Sequence, residues 1–134
     1  MTADADNNFA SENFEFTPDL LEEAKNHVKK YPAGRQFSAV MPLLDLAQRQ
    51  NGGWIFKAAI NYVAKFLEMP PIRVLEVASF YTMYNLSPIG KFHVQVCTNL
   101  PCWLRGSDQI FESCKNNLNI NEGDITDDGL FTLS

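Results

Sequence analysis

The chain has 134 residues, 46% hydrophobic and 20% charged, with a formal net charge of −5, enough apolar material for one domain or for a helical subdomain joined to part of another. Its 11 Lys and Arg are scattered among 16 Asp and Glu, which excludes a nucleic-acid surface, because phosphate binding needs clustered cations. No run approaches the roughly 18 apolar residues of a membrane span, and the acidic, Arg-free beginning is neither a secretory signal nor a transit peptide.

Residues 1–16 are rich in Asp, Asn and Ala without a sustained period, and read as a mobile leader with a docking element near Phe14 and Phe16. Thr17-Pro18-Asp19 supplies an N-cap, a proline at the first helical position and an acid in the first turn. It predicts a helix to about Lys30 with Leu20, Leu21, Ala24 and Val28 on one face. A second helix is expected under a Ser38 cap, through Val40, Met41, Leu43, Leu44, Leu46 and Ala47. Pro42 is tolerated in its first turn, and Asn51-Gly52-Gly53 stops it. The third runs from Trp54 to Leu67, with Ile55, Ala58, Ala59, Tyr62, Val63 and Phe66 on one side. Pro71 opens a fourth through Ile72, Val74, Leu75 and Ala78 that breaks down at Phe80-Tyr81. Four helices on short turns predict a small bundle over residues 17–86. Phe80-Tyr81-Thr82-Met83-Tyr84 reads as the cement between this bundle and the C-terminal part of the chain, with some of it left for a partner.

After Ser87-Pro88-Ile89-Gly90 the period changes to two: Phe92, Val94 and Val96 alternate with Lys91, His93 and Gln95 in a predicted strand that ends at Cys97. Helical spacing returns from Trp103 to Leu118, through Ile110, Phe111, Cys114 and Leu118, and Leu130 to Leu133 reads as another strand. Strand, helix, strand is a β-α-β unit, here over residues 87–134.

Cys97 and Cys102 form a C-x-x-x-x-C pair, read CTNLPC, where strand gives way to helix. Backbone N–H groups and a helix dipole favour thiolates, metals and clusters at such a junction. Two incidental small hydrophobes are the bland alternative, and a reactive dithiol is the sharper one. Dithiol oxidoreductases use C-x-x-C; four intervening residues make a wider loop less suited to exchange, so the spacing favours ligation. Thr98, Asn99 and nearby amides are placed to hydrogen-bond to sulfur, and Pro101 stiffens the loop. Cys114, one turn beyond Ile110 and Phe111, reads as a buried structural thiol. His93 and His27 read as solvated or packed, and Arg73 with Glu76 as a surface pair. No nucleophile triad, metal-hydrolase spacing or glycine-rich phosphate loop is present, which points to relay rather than catalysis. Three cysteines with one tight pair also suit a reducing, cytoplasmic compartment.

Taken together, SAVMPLLDLAQRQNGGW and PPIRVLEVASFYTMYNLSPIGKFHVQVCTNLPCWLRGSD resemble the thioredoxin-like iron-sulfur subunits of respiratory NADH:quinone oxidoreductase (complex I). The resemblance covers Thr17 to Ser134. It implies an α+β, mostly helical chain: an N-terminal four-helix bundle followed by an incomplete thioredoxin-like β-α-β unit. It also implies an electron-transfer role beside the flavin- and NADH-binding subunit, with other peripheral-arm subunits as partners. Cys97 and Cys102 then match the first ligand pair of a 2Fe-2S cluster. A second pair, C-x-x-x-C, is expected just beyond Ser134 and is missing. A cluster takes four thiolates, so the resemblance implies a chain truncated before its second pair, without a cluster of its own. An unpaired sheet edge and an uncovered apolar face are then expected, with self-association or loose order of the C-terminal part as the result. The expected location is the cytoplasmic face of a bacterial plasma membrane, with no direct insertion and no nucleic-acid partner. The equivalent subunit of a soluble NAD-dependent formate dehydrogenase or hydrogenase shares these motifs. A structural assembly module with idle or disulfide-linked cysteines is the reading from a different class.

Overall fold

Proline and glycine set most of the element boundaries. Helix α1 (Pro18–Val28) starts on a proline whose fixed φ suits the first helical position. Thr17 stands at its N-cap without a side-chain cap, and its N–H donates instead to Gln50 Oε1 at 3.1 Å. The structure, a computed structural model, describes residues 13–134. Most of the expected leader therefore lies outside the described residues. The rest of it is packed: Phe14 and Phe16 are 8% and 6% exposed. Their rings meet each other, Phe56 and Tyr62 edge-on at 5.2–5.7 Å. The chain is thus already in the core a few residues before the expected start of order.

A 3₁₀ turn (Gln36–Ala39) leads into α2 (Val40–Gln50), with Pro42 as its third residue. Ser38 does not cap this helix. It sits inside the 3₁₀ turn, its N–H donating to Arg35 O at 3.0 Å, and Ala39 takes the N-cap place without a side-chain bond. Helix α3 spans Lys57–Phe66 and α4 Pro71–Phe80. The third helix starts three residues later than its apolar period implies. Gly52 and Gly53 turn the chain at positive φ. Ile55 N–H then donates to Asn85 O at 2.7 Å, which holds Trp54–Phe56 out of the helix, with Phe56 extended at its N-cap. One apolar core is shared by all four helices. Leu43, Leu44, Leu46 and Ala47 of α2 sit at its centre, against Ala24 of α1, Ala59 and Val63 of α3, and Val74 and Ala78 of α4. Tyr84 closes it, 6% exposed, its hydroxyl donating to Met41 O at 2.9 Å. Gln48 secures the same segment: its Nε2 donates to Met83 O at 3.0 Å, and its Oε1 accepts from Asn85 N–H at 2.8 Å.

The chain divides into two compact units, Met1–Pro88 and Ile89–Ser134. The second contains β1 (Phe92–Val94), α5 (Leu100–Leu104), α6 (Ser107–Leu118) and β2 (Phe131–Leu133). The strands pair in parallel, Phe92 opposite Phe131 and Val94 opposite Leu133, so a helical crossover joins them as such pairs require. The single helix expected from Trp103 to Leu118 is broken at Arg105-Gly106. Gly106 turns the chain at φ 93°, and Trp103 Nε1 donates across the joint to Asp108 Oδ2 at 2.8 Å.

The two sheet edges differ. Phe92, Val94 and Val96 direct their peptide groups toward β2, so those of His93 and Gln95 face the other way, where no strand pairs among the described residues. The outer edge of β2 is covered: Gly123 N–H donates to Leu133 O at 2.8 Å and Thr126 N–H to Phe131 O at 2.9 Å, with an antiparallel bridge between Ile125 and Thr132. Leu133 is the one large apolar side chain fully buried among the described residues of this unit, whereas Phe92, Leu100, Trp103, Leu104 and Ile110 are half exposed or more. The described chain is thus mostly helical with a small two-stranded sheet. Among the described residues no helix is long and apolar enough to cross a membrane.

Candidate metal centre

Pairing with β2 carries the chain up to the first cysteine. Ser134 N–H donates to Val94 O at 2.9 Å, and Val96 N–H donates to Ser134 O at 2.7 Å, so the residue before Cys97 is still anchored to the sheet. The register itself depends on Gly90, where an added Cβ would meet the backbone of Leu130 and Phe131 at 2.8–2.9 Å. Gly90 N–H also donates to the buried Thr132 Oγ1 at 2.7 Å. Beyond Cys97 the chain turns through Asn99, in an extended N-cap conformation, into α5. Trp103 N–H donates to Asn99 O at 2.8 Å and Arg105 N–H to Cys102 O at 3.0 Å. This single turn holds Cys102 as the third residue of α5.

Cys97 and Cys102 are both free cysteines, Cys97 exposed and Cys102 half-buried. Their acidities diverge. Cys97 is held below the usual thiol range, first by the Asn99 backbone N–H and then by the Cys102 side chain. Cys102 is raised, first because its hydrogen bond to Cys97 retains its proton. The pair therefore titrates as a coupled unit, in which the second ionisation is harder than the first. A helix dipole contributes little, since α5 has five residues and the macrodipole is a property of longer aligned runs. The local amide at Asn99 supplies the stabilisation instead.

Such a site suits a soft, thiolate-seeking metal, and two sulfurs supply one iron's share of a four-thiolate cluster set. Among the described residues no group of three or more His, Cys, Asp or Glu side chains is arranged to hold a metal. Cys114 does not join the pair. It lies on α6 half-buried rather than fully buried, because this short sheet covers little of that helix. His93 Nε2 lies 2.9 Å from Ser134 Oγ, and His27 lies on α1 with Glu23 3.8 Å away. Arg73 Nη1 donates to Glu76 Oε2 at 2.9 Å on an exposed face of α4. Two features escaped the apolar spacing. One is the Trp103–Asp108 tie, which the turn residue in LRGSD marks. The other is Ser107, 4% exposed, whose hydroxyl has no hydrogen-bond partner at the start of α6.

Comparison with known proteins agrees with this donor chemistry. The family model described as "Thioredoxin-like [2Fe-2S] ferredoxin" matches residues 24–134. The chain is 56% identical over 121 residues to the E subunit of NADH-quinone oxidoreductase from Rickettsia bellii, covering 90% of this chain and 72% of that protein. The protein of the same description from Rickettsia prowazekii is 57% identical over 121 residues, 90% of this chain and 68% of its own. "NADH dehydrogenase [ubiquinone] flavoprotein 2, mitochondrial" of Dictyostelium discoideum is 50% identical over 120 residues, 90% of this chain but 49% of that longer protein.

Proposed function

Because the chain belongs to the thioredoxin-like [2Fe-2S] ferredoxin family, we propose that it is an electron-transfer subunit of an NADH:quinone oxidoreductase and that Cys97 and Cys102 are its ligands to one iron. The identity to the two Rickettsia proteins over nine-tenths of the chain supports the assembly. The observation that carries the ligand assignment is the placement of both free cysteines where β1 gives way to α5, with the Asn99 amide favouring thiolate at Cys97. A bound 2Fe-2S cluster supplies one-electron chemistry. The chain's own residues fix the two sulfurs at the end of β1, direct an amide at one of them, and set the pair at an exposed edge within reach of a partner.

The 134 residues contain three cysteines, and the Cys97/Cys102 pair amounts to half of a four-thiolate set. We therefore read these residues alone as unable to retain the cluster. Residues 17–86 serve as a four-helix docking bundle and residues 87–134 as the cluster-bearing, thioredoxin-like part. The flavin- and NADH-binding subunit is the neighbour that an electron relay requires, and the location is the peripheral arm on the cytoplasmic face of the membrane. The open edge of β1 and the exposed Phe92 favour self-association when no partner is present.

The test is anaerobic iron and sulfide analysis with electron paramagnetic resonance, on the chain alone and on the chain assembled with its companion subunits. A dithionite-reduced 2Fe-2S signal in the assembly that disappears in Cys97→Ser and Cys102→Ser is the expected result. A signal that survives both substitutions overturns the ligand assignment. Absence of iron from every preparation with intact, reduced cysteines favours the structural module instead.

A further inference from the structure

The two cysteines are held by different means. Cys97 follows directly on Val96, whose N–H donates to Ser134 O at 2.7 Å, so the sheet fixes its backbone. Cys102 lies beyond the sheet, as the third residue of α5, a five-residue helix that buries none of its side chains. Leu100, Trp103 and Leu104 of this helix are exposed. A helix of one turn has little stability of its own, because nucleation costs more than its few bonds return. Trp103 N–H to Asn99 O at 2.8 Å, Arg105 N–H to Cys102 O at 3.0 Å and Gly106 N–H to Trp103 O at 3.0 Å are local bonds. They set the shape of the turn without setting its place. Among the described residues α5 packs against α6, which in turn packs against β2, and Trp103 Nε1 donates across that contact to Asp108 Oδ2 at 2.8 Å. The bond spans Gly106, whose φ of 93° folds the chain back on itself. Asp108 stands in the first turn of the 12-residue α6, where the helix dipole favours an anion, so the acceptor is in place for the indole.

We propose that the Trp103–Asp108 bond is a clasp that places Cys102 for metal, with Trp103 as the positioning residue and Asp108 as its anchor. Trp103 follows Cys102 in the chain, so whatever seats the indole seats the cysteine beside it. Without the clasp the metal itself must order the turn, and the cost of that ordering is subtracted from its affinity. The clasp rests on the assignment of Cys102 as a ligand made above. Its donor and its charge can be removed separately. Trp103→Phe deletes the N–H and leaves an aromatic ring and the Asp108 charge; Asp108→Asn deletes the charge and leaves a carbonyl acceptor.

The experiment compares both variants with the full chain and with Cys102→Ser. Hydrogen exchange is read over residues 100–106 and 107–118, and the reduced chains are titrated with cadmium(II) by thiolate charge-transfer absorbance. Trp103→Phe is expected to speed exchange over residues 100–106 and to weaken cadmium binding, each by about three- to ten-fold, as the loss of one partly exposed hydrogen bond implies. Exchange over residues 107–118 stays at the parent rate in this variant, and Asp108→Asn recovers most of both effects. The reverse order, with Asp108→Asn impaired and Trp103→Phe like the parent, assigns Asp108 to the stability of α6 and overturns the clasp. Faster exchange in Trp103→Phe with unchanged cadmium affinity also overturns it. A cadmium band that survives Cys102→Ser intact defeats the ligand assignment, and the clasp loses its metal role with it, even where exchange over residues 100–106 changes as expected.

Discussion

Replacing Gly90 by alanine tests how the sheet is held in register beneath Cys97. Gly90 has no unusual φ, so the substitution meets no backbone strain; the obstacle is space. The new Cβ would stand 2.8 Å from Phe131 C and 2.9 Å from Leu130 C and Phe131 N, whereas ordinary contact begins at 3.4 Å. All three atoms are backbone, so no side-chain rotation relieves the clash. The strands must separate locally by about 0.6 Å. Three bonds bear that shift: Phe92 N–H to Leu130 O at 2.7 Å, Lys91 N–H to Gly129 O at 3.2 Å and Gly90 N–H to Thr132 Oγ1 at 2.7 Å. At roughly 0.5–1.5 kcal/mol each, weakening them costs the second unit about 2–4 kcal/mol. Hydrogen exchange read by mass spectrometry should show faster exchange at residues 91–96 and 131–134, with helices α1–α4 unchanged. Unaltered protection of β1 and β2 in Gly90→Ala would refute this reasoning, and so would equal loss of protection in the helices.

Three further outcomes concern the first unit. Phe14→Ala and Phe16→Ala each remove a buried ring from a cluster of edge-on aromatics and should lower its unfolding free energy by about 3–5 kcal/mol, measured by urea titration; a change below about 1 kcal/mol shows that these rings do not belong to the core. Burial raises the Tyr84 phenol from 10.0 to about 12, reinforced by the Asp45 and Tyr81 charges. The folded state therefore favours the neutral phenol, and its contribution is complete below pH 10 and disappears as pH rises toward 12. Tyr84→Phe should cost about 1 kcal/mol at neutral pH and flatten that alkaline loss; an unchanged pH profile contradicts it. Gln48→Leu leaves Met83 O and Asn85 N–H without their partner, with an expected cost of about 1–3 kcal/mol. Thermal melting alongside Arg73→Ala, an exposed pair expected to matter by less than about 1 kcal/mol, separates the two effects.

Pattern carried much of this structure and failed at identifiable points. Pro18 and Pro71 begin helices because their fixed φ leaves little choice, and both starts are legible to the residue. Ser38 has the right chemistry for a cap, but the chain reaches α2 through a 3₁₀ turn, an outcome of tertiary packing that single-residue preference does not encode. Trp54–Phe56 continue an apolar period yet stay outside the helix, because the Ile55 N–H is claimed by Asn85 O, 30 residues downstream. Phe14 and Phe16 stand out from a polar, acidic stretch as a docking element, but only the facing rings of Phe56 and Tyr62 show where they are buried. In the site, the Cys97/Cys102 spacing and the junction are readable from the residues. The asymmetry between the thiols is not, since it depends on where the Asn99 N–H points.

The unequal sheet edges have a consequence for how far the isolated chain can assemble. Strands open on both sides template one another without limit, the route to fibres. Here the return of residues 123–126 covers the outer edge of β2, and among the described residues the peptide groups of His93 and Gln95 face the open side of β1. Two copies that meet along this edge related by a two-fold axis use up the open side of β1 in each, so accretion through β1 terminates at a pair. On raising the concentration, sedimentation should reach a plateau at twice the chain mass instead of climbing into a continuous distribution of polymers.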